Sequence, residues 1–240
     1  MNPVGMTDTG RRRKNNEDAF FVSGNAFYGL PNLFIVADGM GGHNAGEVAS
    51  AEAIKFFRQY CEINPATQPE ILDYLIAGCA YANNAVYDMA ENNDEYYGMG
   101  TTFTVCVKGD GRLYIAHIGD SRAYAVYENK LKLLTTDHTY VCEMQKFGQI
   151  TDEEARTHPN RNMLTKVLGV EKDAQFDGLL FDLRDVKKIL LCSDGLTTML
   201  DDAEIFALCG GDNEKIAQNL IDQANHRGGA DNVTLIAFDS

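Results

Sequence analysis

The sequence predicts an α+β protein in which two stacked, mainly antiparallel β-sheets are flanked by pairs of helices. Three observations predict it. Strand-like and helix-like runs come in blocks rather than in strict alternation, which disfavours a doubly wound parallel sheet. Several strand-like runs meet at short turns, as in hairpins. Two long helical patterns follow one another and read as neighbours in space.

The elements follow in order. Ala19 to Val22 and Leu33 to Ala37 read as strands. Ala45 to Tyr60 places Val48, Ala49, Ile54 and Phe57 mostly on one helical face. Pro69 to Asn92 repeats Leu72, Leu75, Ile76, Cys79, Val86 and Met89 at spacings of three, four and seven, with Pro69 suited to a first turn. Thr101 to Lys108 alternates, turns at Gly109-Asp110-Gly111 and returns as Arg112 to Ile118. Ser121 to Tyr127 and Lys130 to Thr135 pair around Glu128-Asn129. Thr136 to Met163 is polar and irregular, except that Thr151-Asp152-Glu153-Glu154 reads as a capping box opening a short helix. Strands resume at Ala174 to Leu183 and Lys187 to Cys192. Helices are predicted at Asp202 to Cys209 and Asn213 to His226, and Asn232 to Phe238 closes as a strand. The chain shows no linker, repeat or low-complexity segment, so residues 1–240 read as one domain with a subregion at about 136–163.

Composition bounds the function. Of the 240 residues, 45% are hydrophobic, enough for a sizeable core. No apolar run reaches the roughly 18 residues of a membrane span, and the N-terminus lacks the pattern of a secretory signal. The six cysteines are scattered with no C-x-x-C pair, which fits a reduced cytoplasmic compartment better than a disulfide framework. A net charge of −14 makes nucleic acid or an anionic membrane a poor partner. The basic run Arg11-Arg12-Arg13-Lys14 abuts Asn15-Asn16-Glu17-Asp18.

Four aspartates border strand-like runs at their ends or tight turns: Asp38 in Val36-Ala37-Asp38-Gly39, Asp120 in Ile118-Gly119-Asp120-Ser121, Asp194 in Cys192-Ser193-Asp194-Gly195 and Asp231 in Ala230-Asp231-Asn232-Val233. Each taken singly also suits a turn. Gathered at the rim of one core, such carboxylates repel unless cations sit between them. Oxygen ligands of this kind suit Mg²⁺ or Mn²⁺. Gly39 permits close backbone approach, so its carbonyl is a candidate ligand beside Asp38. Glu17 and Asp18 are candidates to orient metal-bound water. Arg13, four residues before Glu17, is either a charge-balancing partner or a grip for two phosphate oxygens. His43 reads as a polar residue at a helix entry. Walker and G-x-S-x-G loops are absent and no cysteine lies in a phosphate-cradle loop of the C-x-x-x-x-x-R kind, so no covalent nucleophile is indicated and a metal-activated water is the natural candidate.

Together these segments resemble the metal-dependent type-2C serine/threonine protein phosphatases, in their bacterial form. The resemblance runs from Thr7-Asp8-Thr9-Gly10 to Phe238 through Arg13 to Asp18, Val36 to Gly46 with Glu47-Val48-Ala49-Ser50, Gly100-Thr101-Thr102, Ile118 to Arg122, Asp137-His138, Leu164 to Gly169, Ser193-Asp194-Gly195 and Asp231 to Thr234. It implies a β-sandwich between helix pairs with two metals at one edge. Asp38 would bridge both ions, the Gly39 carbonyl would bind the second, and Asp194 and Asp231 the first. Asp18, with Glu17 beside it, would hold metal-bound waters. Asp120 with Asp194 would hold a third, weaker ion. Arg13 would grip phosphate, and residues 136–163 would form a variable flap. Animal members carry a histidine directly after the Asp-Gly. Met40 stands there in this chain and His43 is not equivalent, so the general acid is unassigned. The resemblance implies hydrolysis of phosphoserine and phosphothreonine in proteins by a cytoplasmic monomer working opposite a Ser/Thr kinase. A catalytically silent binding module is the rival reading, which the complete set of core aspartates disfavours.

Overall fold

The computed structural model describes residues 2–41, 45–67 and 70–240. Pro69 and His43 lie outside the described residues. The strands are β1 (Val4–Asp8), β2 (Asp18–Ser23), β3 (Leu33–Met40), β4 (Gly100–Thr101), β5 (Phe103–Gly109), β6 (Arg112–Ile118), β7 (Arg122–Val126), β8 (Leu131–Leu133), β9 (Asp177–Asp182), β10 (Lys188–Cys192) and β11 (Val233–Asp239). The helices are α1 (Ala45–Ile63), α2 (Ile71–Asn92), α3 (Tyr140–Lys146), α4 (Asp152–Thr157), α5 (Asp194–Thr197), α6 (Asp202–Leu208) and α7 (Asn213–His226). One sheet runs β1-β11-β10-β7-β8. The other runs β2-β3-β5-β6-β9, with β4 paired to β3, and the pairings are antiparallel.

Period-two alternation sorts the side chains into three apolar layers. In β3, Leu33, Ile35 and Ala37 face the buried stripe of α1 and α2, which includes Ala49, Ala53, Phe57, Leu75, Cys79 and Val86. In β10 and β11, Leu190, Cys192, Leu235 and Ala237 face α6 and α7 through Ile205, Ile216, Leu220 and Ala224. The remaining side chains of these strands meet between the sheets. Phe34, Val36, Ile189, Leu191, Ile236 and Phe238 all lie there, and the Phe34 and Phe238 rings stack with centroids 4.0 Å apart. Truncating either ring to alanine should cost about 3–5 kcal/mol.

Two short helical turns, α5 and a 3-10 turn at Asp94–Tyr96, were not expected, and the predicted elements otherwise stand with three differences. β1 was not expected, because Val4-Gly5-Met6-Thr7-Asp8 carries little apolar alternation and pairs only as an edge strand with β11. The predicted strand from Thr101 breaks at Thr102, whose N–H turns aside to donate to the Asp38 carbonyl at 2.9 Å. The polar stretch from Thr136 to Met163 holds α3 as well as the expected short helix. Thr139 caps α3 by accepting from Cys142 N–H, and Thr151 and Glu154 form the predicted capping box on α4. All six cysteines are free thiols. Among the described residues, no helix is long and apolar enough to cross a membrane.

Candidate active site

The layer between the sheets ends in carboxylates. Phe34 and Val36 of β3 point into that layer, and Asp38 continues their row. Phe20 and Val22 of β2 pack against the same layer, and Asp18, which pairs with Asp38 across the two strands, continues theirs. From the other sheet, Asp194 follows β10 as the first residue of α5, and Asp231 occupies the turn before β11. Asp120 sits where the chain leaves β6 for β7, passing from one sheet to the other.

Burial and mutual repulsion make these carboxyls weaker acids than usual. The Asp38 carboxyl is pushed well above the ordinary carboxylate range, first by burial and then by the charges of Asp18, Asp194, Asp120 and Asp231. Burial lifts Asp18 to about 6, against a hydrogen bond from Ser193 that favours its charged form. Asp194 rises to about 7 through burial and the charges of Asp231 and Asp18. Asp120 rises to about 8 through burial and the charges of Asp194 and Asp137. The Glu17 carboxyl is raised by burial, with Arg13 pulling the other way. Desolvation disfavours the charged forms, and clustered like charges add to it.

Arg13 binds at the edge of the cluster. Its Nη2 donates to Asp231 Oδ2 at 2.7 Å, and its Nη1 lies 3.8 Å from Glu17 Oε2. The hydrogen bond to Asp231 raises the guanidinium further, and nearly half of the side chain stays in solvent. Gly39 is fixed by its surroundings. Its N–H donates to the Glu17 carbonyl at 3.1 Å, and a Cβ there would stand 2.0 Å from the Gly46 carbonyl oxygen.

Several supporting residues carry no separate role in the sequence reading. Thr102 Oγ1 accepts from the Asp38 N–H at 2.9 Å and lies 2.7 Å from Ser121 Oγ. Ser193 Oγ donates to Asp18 Oδ2 at 2.7 Å and accepts from Thr234 N–H at 2.9 Å. Asn232 accepts from Glu17 N–H through Oδ1 and donates through Nδ2 to the carbonyls of Thr9 and Asn15. Each follows or precedes an aspartate or lies in a quoted motif, and that adjacency was the available signal.

The donor set fits a hard divalent cation. Its groups are carboxylate and carbonyl oxygens, mutually repelling and partly desolvated, and Asp18 Oδ1 is buried without a donor. Among the described residues no three such side chains close into a finished ion cage. Asp231 gives Oδ2 to Arg13 and Oδ1 to the Asn232 N–H, and Asp18 gives Oδ2 to Ser193. The site thus offers anionic oxygen for cations beside a guanidinium shaped for phosphate.

Comparison with known proteins agrees. A family model described as Protein phosphatase 2C matches residues 8–225. The Listeria welshimeri protein "Serine/threonine phosphatase stp" is 37% identical over 240 residues, covering 97% of this chain and 93% of that one. "Protein phosphatase PhpP" of Streptococcus pneumoniae is 34% identical, covering 96% and 94%. The crystal structure of the serine/threonine phosphatase Stp1 from Staphylococcus aureus superposes with a TM-score of 0.92 at 36% identity, covering 99% and 94%. With the sandwich, the clustered strand-end carboxylates and these matches in hand, the chain belongs to the protein phosphatase 2C family of protein serine/threonine phosphatases.

Proposed function

We propose that the carboxylates at the edge of the sandwich are the metal centre of this phosphatase, and that residues 1–240 act as one catalytic domain. Family membership carries divalent-metal dependence. In the proposed assignment, two Mn²⁺ or Mg²⁺ ions are held by Asp38, the Gly39 carbonyl, Asp194 and Asp231. Asp18 and Glu17 orient metal-bound water, and Asp120 with Asp194 holds a third, weaker ion. The observation that carries the assignment is that Asp18, Asp38, Asp120, Asp194 and Asp231 stand at the ends of strands from both sheets, near enough for their charges to act on one another.

Bound divalent ions acidify water and neutralise charge on a transferring phosphoryl group. The protein's own residues do the rest. Arg13 supplies a half-exposed guanidinium whose two terminal nitrogens can bind two phosphoryl oxygens. Thr102 locks the Asp38 backbone, and Ser193 locks the Asp18 side chain, so neither carboxylate pays the reorganisation that a mobile ligand would. Met40 follows Asp38-Gly39 and carries no titratable proton, so it serves as wall rather than acid. Residues 136–163, with α3 and α4, form the flap beside the site.

The substrates in this reading are phosphorylated proteins, a Ser/Thr kinase among them, met in the cytoplasm by a monomer. Phosphate release from phosphothreonine and phosphotyrosine peptides, with and without Mn²⁺, tests the reading. The expected result is Mn²⁺-dependent release that favours phosphothreonine and disappears in Asp38→Asn. Near-normal release by Asp38→Asn contradicts the assignment.

A further inference from the structure

Asp120 stands on a turn rather than inside a strand, and residues outside the carboxylate cluster determine where that turn lies. His138 holds it most closely. The His138 N–H donates to the Gly119 carbonyl at 2.8 Å, and His138 Nδ1 accepts from the Gly119 N–H at 3.1 Å. Both polar groups of Gly119 are therefore tied to one residue, directly before Asp120. Because Nδ1 accepts, the ring proton sits on Nε2, which faces Asp177 Oδ2 at 3.2 Å. The ring is buried, and the His138 carbonyl is itself fixed by the Thr165 N–H at 2.8 Å. Gly119 has a φ of +106°, and a Cβ there would lie 2.6 Å from the Thr102 side chain. On the other side of Asp120, Ser121 Oγ meets Thr102 Oγ1, which also accepts from Asp38 N–H. The turn is clasped at both ends, and one clasp leads back to Asp38.

We propose that His138, oriented by Asp177, is a positioning residue for Asp120. Its two-point grip on the Gly119 peptide sets where the Asp120 carboxylate stands relative to Asp38 and Asp194. It thereby sets the affinity of the weakest cation of the site. The inference rests on the assignment of Asp120 to that cation. Nothing in it requires His138 to touch substrate.

The test is Mn²⁺ binding to the full chain by isothermal titration calorimetry, without substrate, so that turnover plays no part. The wild type should show a tight and a weak class of site, and Asp120→Asn should lose the weak class. His138→Leu removes the acceptor for Gly119 N–H and should weaken the weak class by about tenfold, with the tight class changed by less than about twofold. His138→Asn places Oδ1 near the lost Nδ1 and should restore the weak class to within about threefold of wild type. Asp177→Ala alters a partly exposed side chain, keeps the histidine, and should weaken the weak class by roughly threefold to tenfold in a protein that folds normally. An intact weak class in both His138→Leu and Asp177→Ala, where Asp120→Asn has lost it, overturns the proposal. Equal weakening in His138→Asn and His138→Leu also overturns it, because packing alone would explain that. Retention of the weak class in Asp120→Asn overturns the cation assignment, and the proposal with it.

Discussion

Asp194→Asn should make the cation-free protein more stable while abolishing its phosphatase activity. The reason lies in the raised pKa of Asp194, lifted from an ordinary 3.8 to about 7 by burial and the charges of Asp231 and Asp18. A carboxyl with a raised folded value binds more protons in the fold than in the unfolded chain between those two values. Stability is therefore lost as pH rises from about 4 to about 7 and stays lost above that. At about 1.4 kcal/mol per pH unit, the ionised side chain costs roughly 4 kcal/mol at pH 8. Asparagine removes the charge but also disturbs the hydrogen bonding with Asp38, which offsets about 1 kcal/mol. The net gain should be about 2–3 kcal/mol near pH 8 and small near pH 5. Urea unfolding in chelator at both pH values measures it. With Mn²⁺ at about a hundred times its dissociation constant the gap should close, because the wild type gains about 3 kcal/mol and the variant far less. An Asp194→Asn protein no more stable than wild type at pH 8, or equally stabilised at both pH values, would refute the electrostatic argument.

Other outcomes follow from the same geometry. Arg13→Lys keeps the charge but loses the planar fork, so kcat/KM for phosphopeptides should fall by about tenfold to a hundredfold, with folding unchanged by circular dichroism. Gly39→Ala should destabilise by more than about 3 kcal/mol in thermal unfolding, because the added methyl meets the Gly46 and Glu17 carbonyl oxygens at 2.0 and 2.6 Å. His117 is buried, donates through Nε2 to the Thr136 carbonyl and accepts from Thr104 Oγ1, and burial lowers it to about 4. A lowered histidine costs stability as pH falls from about 6.5 to about 4. The advantage of wild type over His117→Gln should therefore shrink by roughly 3 kcal/mol across that window in urea titrations.

Much of the sandwich was legible because strands and helices here obey their periods. Leu33 to Ala37 and Leu190 to Cys192 are continuous apolar runs because each is covered on both faces, by helices outside and by the partner sheet inside. The strand-end aspartates stood out for a related reason, since each adjoins a run rich in apolar or β-branched residues. β1 was hidden because an edge strand needs only one paired side and little apolar surface. The break at Thr102 was hidden because it depends on hydrogen bonds to Asp38, sixty-four positions away. Those to Asn232 and Ser193 also span long distances in sequence. His138 was visible within Asp137-His138, but its grip on Gly119 emerges only when the end of β6 is brought against the segment before α3. Sequence alone names the carboxylates, whereas the groups that hold them still come from remote segments that only folding brings together.

The central claim is that side chains delivered by two different sheets jointly bind the ions that make the protein a phosphatase. The most direct measurement is an anomalous difference map from crystals grown with Mn²⁺. Manganese peaks liganded by Asp38 together with Asp194 and Asp231 are the predicted result. A well-ordered map in which those three carboxylates bind no manganese, from crystals of protein that is active with Mn²⁺, would contradict the account.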